Sequence, residues 1–246
     1  MKNISFISPF CDLLKALTST SILDRAKKKE IVNYNFLDLF SFSEDIHRRI
    51  DDYPFGGGDG MILQAQPIFS AFESITKISD KPRVVFPTPD GKKLDMKLSL
   101  DLSEAEDIIF ICGHYKGVDQ RVRDELVTDE ISIGDYILTG GELPACVITD
   151  TIVRLIPGVI NNINSAKTDS FYGDLLDHAH YTRPDVFRDL KVPDVLLSGN
   201  HKEIDKWKLK NRIEKTKIRR LDSVSYTHLR AHETKANLVC RLLREK

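Results

Sequence analysis

The chain has 246 residues, 41% of them hydrophobic and 30% charged, with a formal net charge of −1. That length can bury one large core, or one core plus a small second domain, and the composition is that of a soluble globular protein. No apolar run approaches the length of a membrane span, and the near-zero net charge gives no global sign of a polyanionic partner.

Asn3 to Phe10 alternates as a strand, Leu13 to Ala26 follows at helical spacing, and Glu30 to Leu37 reads as a second strand. Strand–helix alternation of this kind predicts α/β layers around a mostly parallel sheet. Ser41 to Asp52 is polar and irregular and leads into Asp51-Asp-Tyr-Pro-Phe-Gly-Gly-Gly-Asp-Gly-Met61. The glycine cluster lacks the Gly-Lys-Ser/Thr ending of a phosphate loop, so it has no lysine for a β/γ-phosphate and no hydroxyl for magnesium. A nucleotide triphosphatase is thereby disfavoured, and a bare structural loop stays open.

Ile68 to Ile78 is helix-like, followed by the strand Arg83 to Phe86 and the turn Pro87-Thr-Pro-Asp-Gly91. Asp107 to Cys112 is a continuous apolar strand, and Ile111-Cys-Gly-His-Tyr-Lys-Gly-Val-Asp119 leads from it into a polar helix, Val118 to Leu126. Next comes Ile131-Ser-Ile-Gly-Asp-Tyr-Ile-Leu-Thr-Gly-Gly-Glu-Leu-Pro-Ala145. It reads as a short strand, Asp135 to Leu138, then Thr139, Gly140 and Gly141, then a helix with Pro144 in its first turn. Adjacent glycines let the backbone turn sharply and approach a ligand with no Cβ in the way, although the same spacing serves plain turns. The loops Pro87–Gly91, Gly113–Gly117 and Ile133–Pro144 all fall at predicted strand ends, where open α/β sheets bind ligands.

The helix Glu142 to Ile156 places Leu143, Val147 and Leu155 near one apolar stripe, and Asp150 and Arg154 at ion-pair spacing. Asn161 to Tyr181 has no clear helical period, and a loop of that length is functional or disordered. Within it Asp169 precedes Ser170, which by itself reads as a turn or cap. From His201 to Leu221 nine Lys and Arg stand against three acidic residues, either a solvated helix face or a footprint for a phosphate backbone. Cys11, Cys112, Cys146 and Cys240 are scattered without C-x-x-C spacing, which argues against zinc and for a reducing compartment, hence the cytoplasm. Ser225 to Leu243 resembles a translated sequencing adapter, so residues 223–246 read as a non-native tail. The i, i+4 pair His228 and His232 inside it reads as accidental, and no metal ligand is assigned.

Seven ordered segments carry a resemblance. They are the Asp51, Ile111 and Ile131 stretches above, with Arg154-Leu-Ile-Pro-Gly158, Thr168-Asp-Ser-Phe171, His180-Tyr-Thr-Arg-Pro184 and Val195-Leu-Leu-Ser-Gly-Asn-His201. Together they resemble the bacterial tRNA (guanine-N1)-methyltransferases of the knotted SPOUT superfamily over roughly residues 1–222, a coincidence that no single motif could support. The resemblance implies an α/β fold with a SPOUT-type parallel sheet, a C-terminal trefoil knot and a small helical C-terminal domain. Its domains are a methyltransferase domain at 1–160, a linker at 161–181 and a small basic tRNA-binding domain at 182–222. It implies transfer of a methyl group from S-adenosyl-L-methionine to N1 of guanosine 37 by a homodimer whose subunits complete each other's sites. The partner is tRNA, with no DNA and no membrane.

Carried onto this chain, the resemblance makes Asp169 the catalytic base and Arg154 a contact to the target guanine or the cofactor region, against the plain alternative of an ion pair with Asp150. The cofactor would lie on Phe86, Pro87, Thr88, Pro89 and Gly91, on Gly113, Tyr115, Lys116 and Gly117, and on Ile133, Gly134, Tyr136, Ile137, Leu138, Gly140, Gly141 and Pro144. Gly57, Gly58 and Asp59 fall near the substrate base. Ser170, His180, Tyr181, Lys208 and Arg212 would meet RNA, although packed aromatics at His180 and Tyr181 are an equal reading. Magnesium is implied too, yet no carboxylate cluster marks its ligands. The chain departs from many relatives at His114, commonly Arg, at Lys116, commonly Glu, and at Phe86, commonly Tyr. Two other readings follow: a SPOUT enzyme for another RNA base, or a non-catalytic RNA-binding relative.

Overall fold

The computed structural model describes residues 1–76, 80–160, 169–173 and 175–220, which fall into two compact units, one within Met1–Ile163 and one within Asn164–Lys246. In the first unit the strands are β1 (Lys2–Ser8), β2 (Val32–Asp38), the short pair β3 (Asp51–Asp52) and β4 (Ile62–Leu63), then β5 (Arg83–Lys93), β6 (Asp107–Ile111) and β7 (Asp129–Ser132). Five of them form one sheet in the order β2-β1-β6-β5-β7, and every pairing is parallel. Helices α1 (Cys11–Thr18), α2 (Ser21–Lys28), α3 (Ala65–Glu73), α4 (Met96–Glu104), α5 (Gln120–Leu126) and α6 (Glu142–Val153) connect and cover it. The parallel α/β architecture expected from the sequence is present.

A parallel sheet buried on both faces needs strands that are apolar throughout. β6 meets this, with Ile108 and Phe110 on one face and Ile109 and Ile111 on the other. The first face packs against α1, α2, α4 and α6; the second against α3, α5 and a 3-10 turn at Leu39–Phe42. Phe36, Phe6 and Phe110 occupy matched positions on β2, β1 and β6 and stack at 5.6 and 5.3 Å between centroids. Aromatic cross-strand pairs of this kind pin strand register.

Four local readings of the sequence are corrected. The helical stretch Leu13–Ala26 is two helices, because the Thr18 and Thr20 hydroxyls donate to the Leu14 and Leu17 carbonyls and Ser21 turns at φ 49. The turn Pro87–Gly91 does not end its strand. Pro87 and Lys92 both pair with Ile131, so 88–91 is an excursion within β5. Asp135 to Leu138 is not a strand; β7 stops at Ser132 and an irregular loop follows. On α6 the buried face is Ala145, Cys146, Ile148, Thr149, Ile152 and Val153, whereas Leu143 and Val147 are 47% and 46% exposed. Helix α3 stops at Glu73, and Ile78, the expected end, lies outside the described residues.

The second unit holds a short antiparallel pair, β8 (Val186–Phe187) with β9 (Leu190–Lys191), and the helices α7 (Asp194–Leu197) and α8 (His201–Arg219). Asn200 caps α8 by accepting the Glu203 N–H. The preceding segment is fastened along α8: Leu176 N–H donates to Thr216 Oγ1 at 2.9 Å, Ala179 N–H to Asn211 Oδ1 at 2.8 Å, and Lys215 Nζ to the Asp177 carbonyl at 2.9 Å. Residues 161–168 of the expected linker and the whole of the expected tail, 223–246, lie outside the described residues. Among the described residues no helix is long and apolar enough to cross a membrane.

Candidate active site

β6, β5 and β7 are neighbours in the sheet, and the excursion within β5 together with the segments that follow β6 and β7 encloses a cavity of about 460 Å³. That size falls within the roughly 300–1,000 Å³ of small-molecule pockets. Every residue expected to hold the cofactor lines it except Gly91. Phe86, Pro87, Thr88 and Pro89 come from β5; Gly113, Tyr115, Lys116 and Gly117 follow β6; Ile133, Gly134, Tyr136, Ile137, Leu138, Gly140, Gly141 and Pro144 follow β7. Gly91 serves the sheet instead: a Cβ there would stand 2.5 Å from the Glu130 carbonyl carbon, so only glycine lets β5 pass β7 at this point.

Gly141 is built into the floor. Its N–H donates to the Gly113 carbonyl at 2.7 Å and its carbonyl accepts from Ala145, the first bond of α6. Its amide therefore ties the third loop to the second. What Gly141 contributes is proximity, since a Cβ would lie 2.7 Å from Gly113 N and 2.9 Å from Cys112 Cα. His114 and Gly140 form an isolated antiparallel bridge across the same seam. Beneath it the buried Glu142 accepts from the Ser8 hydroxyl at 2.7 Å, joining α6 to the end of β1.

The first loop is held electrostatically. Arg123 of α5 donates to Glu130 at 2.8 Å and to Asp90 at 2.9 Å, and its guanidinium lies 5.4 Å over the Phe86 ring. The Thr88 hydroxyl and then Arg123 hold the Asp90 carboxyl below its ordinary range; the Glu130 and Asp90 bonds keep Arg123 charged. Tyr115 sits at φ 57, a strained conformation for a non-glycine residue that clusters at functional sites. Burial and then the Asp51 carboxylate push its phenol up, which ties the Asp51–Met61 motif to the second loop. Lys116 N–H donates to Met61 O, and its side chain packs beside Gly60. The exposed Gly57, Gly58 and Asp59 thus belong to a loop fastened next to the cavity.

Local pattern did not single out Ile62, Asp90, His114, Val118, Arg123, Ile131, Ser132 and Thr139, which also line the cavity. Asp90 falls inside the quoted turn with no role assigned to it, and His114 enters the sequence reading only as a departure from relatives. Arg123 carried no local signal, because its partners are 7 and 33 residues away.

Arg154 caps the C-terminus of α6, its N–H donating to the Asp150 carbonyl at 3.4 Å. Asp169 and Ser170 belong to the second unit, where the Asp169 carbonyl accepts from Tyr172 and Ser170 Oγ accepts the Asp177 N–H at 2.9 Å. His180 reaches Asp177 Oδ2 at 2.8 Å, and the exposed Tyr181 ring lies 6.4 Å from Trp207. Lys208 is half-buried on α8, while Arg212 donates through Nε to the Leu176 carbonyl, so part of its donor set is spent on packing.

The sheet and its cavity define an α/β domain with a pocket of small-molecule size lined by close-packed backbone. Comparison with known proteins narrows the class. The family model described as tRNA (Guanine-1)-methyltransferase TrmD matches residues 1–226. Proteins named tRNA (guanine-N(1)-)-methyltransferase from Bacillus cereus (strain AH820), Bacillus anthracis (strain CDC 684 / NRRL 3495) and Bacillus thuringiensis subsp. konkukian (strain 97-27) are each 49% identical over 233 residues, 94% of this chain and 96% of theirs. The chain belongs to the tRNA (guanine-N1)-methyltransferase family.

Proposed function

We propose that the chain transfers the methyl group of S-adenosyl-L-methionine to N1 of guanosine 37 in tRNA, with Asp169 as general base. The observation that carries this is the cavity, where the three loops quoted from the sequence meet around one space. Phe86, Pro87, Pro89, Ile133 and Leu138 offer apolar walls to a nucleoside, and the Gly140–Gly141 turn brings backbone close to it. The bound cofactor would supply an electrophilic methyl group on a sulfonium.

Guanine N1 carries a proton at neutral pH and becomes a competent nucleophile once that proton leaves. Asp169 would take the N1 proton, leaving the N1 electron pair to accept the methyl group that the bound cofactor would supply, with the sulfonium sulfur keeping the electron pair of the bond it loses. Arg154 positions the guanine and offsets charge growing on O6. Gly57, Gly58 and Asp59 lie on the substrate side of the cavity. In the second unit Ser170, His180, Tyr181, Lys208 and Arg212 meet the RNA, giving salt-dependent binding. The domain assignment is 1–160 for methyl transfer, 161–181 for the linker, 182–222 for tRNA and 223–246 as a non-native tail.

The trefoil knot is supported by the path after β7, which leaves the sheet edge beyond β5 and returns to bridge His114 beside β6 before α6 packs on α1 and α4. A homodimer is supported by apolar side chains that a lone subunit leaves exposed: Phe10 and Leu13 at α1, Leu143 and Val147 on α6, and Ile137 at the cavity lip. Light scattering is expected to give twice the chain mass at micromolar concentration, and a monomer there contradicts the shared site. For magnesium the residues do not fit. The cavity's acidic lining residue, Asp90, is committed to Thr88 and Arg123, so no step runs through the ion. The free thiols Cys11, Cys112 and Cys146 suit the reducing cytoplasm.

The test is nucleoside analysis of tRNA treated with the purified chain and S-adenosyl-L-methionine. 1-Methylguanosine is the expected product, and a different methylated base would move the chain to a related reaction.

A further inference from the structure

Away from the cavity, the described residues bring one group of metal-ligating side chains together: Asp177, His178 and His180, with ligand atoms all within 4.8 Å of one another. The backbone beneath them is fixed before any ligand arrives. Asp177 N–H donates to Ser170 Oγ at 2.9 Å, its carbonyl accepts from Lys215, and Ala179 N–H donates to Asn211. His180 Nε2 lies 2.8 Å from Asp177 Oδ2, His178 Nε2 lies 4.0 Å from Asp177 Oδ1, and the two imidazole centroids are 4.2 Å apart.

The tautomer of His178 follows from its neighbour. Its Nδ1 is 2.9 Å from the Ala179 carbonyl oxygen, which only accepts, so Nδ1 carries a proton and the neutral ring keeps its lone pair on Nε2. That lone pair lies 4.0 Å from Asp177 Oδ1, which accepts the His178 N–H at 2.7 Å, while Oδ2 accepts from His180 Nε2–H; a metal ion would take the place of that His180 proton. A backbone carbonyl holding Nδ1–H is also the contact that orients metal-binding histidines.

The geometry points to a site for a zinc-class divalent transition ion, held by Asp177, His178 Nε2 and His180 Nε2, with water completing the coordination. Bonds of about 2.0–2.2 Å in a tetrahedral set bring ligand atoms roughly 3.3 Å apart. The His180 side chain, 68% exposed, has room to rotate through the remaining distance once its bond to Asp177 is exchanged for the ion. Two imidazoles and a carboxylate select zinc or its neighbours rather than magnesium, which demands oxygen. Reading the sequence for thiolates missed this set because none of its ligands is a cysteine. A bound ion would lock residues 177–180 and, through the Asp177–Ser170 bond, the turn that contains Asp169. The site stands whether or not the methyl-transfer reading does.

The test is calorimetric titration of the metal-free full chain with Zn²⁺, in a His228→Ala/His232→Ala background that removes the tail's own histidine pair. The expected result is one ion per chain, a raised melting temperature, and a Co²⁺ form with visible d–d bands but no strong thiolate-to-cobalt absorption. His178→Ala and His180→Ala should each weaken binding by more than about tenfold. The exposed His180 keeps the test sound should His178→Ala fold poorly, with far-UV circular dichroism as the check. No saturable uptake, uptake unchanged in His180→Ala, or a cobalt spectrum dominated by thiolate absorption overturns the site.

Discussion

Gly141→Ala probes the seam on which the cavity depends. The added Cβ would meet Gly113 N at 2.7 Å, Cys112 Cα at 2.9 Å and Cys112 C at 3.1 Å, where ordinary contact begins near 3.4 Å. A displacement of about 0.7 Å is therefore required, against backbone at the end of a strand held between two others. Overpacking of this kind costs about 1–3 kcal/mol. Either loop that yields, 113–117 or 133–141, is a wall of the cavity, so much of the cost falls on the ligand-ready shape. Calorimetry with S-adenosyl-L-methionine should then show affinity about 5- to 150-fold weaker. Gly173→Ala, where a Cβ meets nothing within 4 Å, should leave it unchanged. Undiminished affinity in a natively folded Gly141→Ala chain would refute the close-approach account of this turn.

Other expectations address the reaction and the fold. Asp169→Ala should retain cofactor binding and lose most methyl transfer, about 100-fold or more for a general base; near-normal turnover sinks that assignment. Ser8→Ala removes the hydroxyl that Glu142 accepts in the interior and should destabilise the chain by about 1–3 kcal/mol in urea titrations, with no loss contradicting that bond's role. Arg83 pairs with Asp129 at 2.5 Å and with Asp101 at 2.9 Å. Burial raises the Asp129 carboxyl, but its bonds to Arg83 and Thr128 outweigh this and hold it below the ordinary value. A depressed carboxyl stabilises the fold above its unfolded pKa of about 3.9 and loses that contribution as pH falls through the lower folded value. Arg83→Met should thus weaken the chain at neutral pH by about 1–2 kcal/mol and flatten its stability loss below about pH 4. Identical acid slopes in both proteins would dismiss the pair.

The sheet was legible because its strands announce themselves. Asp107–Ile111 is an apolar run, which is how a strand buried on two faces reads, and Lys2–Ser8 alternates Ile4 and Phe6 with Asn3 and Ser5. The three cavity loops were legible too, since glycine and proline mark strand exits whatever lies across from them. What escaped depended on partners distant in sequence. β5 continues past Pro87 only because Ile131 pairs on both sides of the excursion, and turn chemistry alone cannot show that. Asp135–Leu138 alternates like a strand, yet the chain has left the sheet at Ser132. The apolar Leu143 and Val147 suggested a buried stripe, but Ala145, Cys146, Ile148 and Thr149 face the core. The anchoring of residues 176–179 on α8 joins groups 32 to 40 residues apart and had no local signal.

The central claim is tested most directly by methyl transfer from labelled S-adenosyl-L-methionine to tRNA transcripts that carry guanosine or adenosine at position 37. The account predicts incorporation with guanosine alone, recovered as 1-methylguanosine. Equal labelling of both transcripts would contradict the assigned position, and cofactor binding with no transfer to either would make the chain a non-catalytic relative.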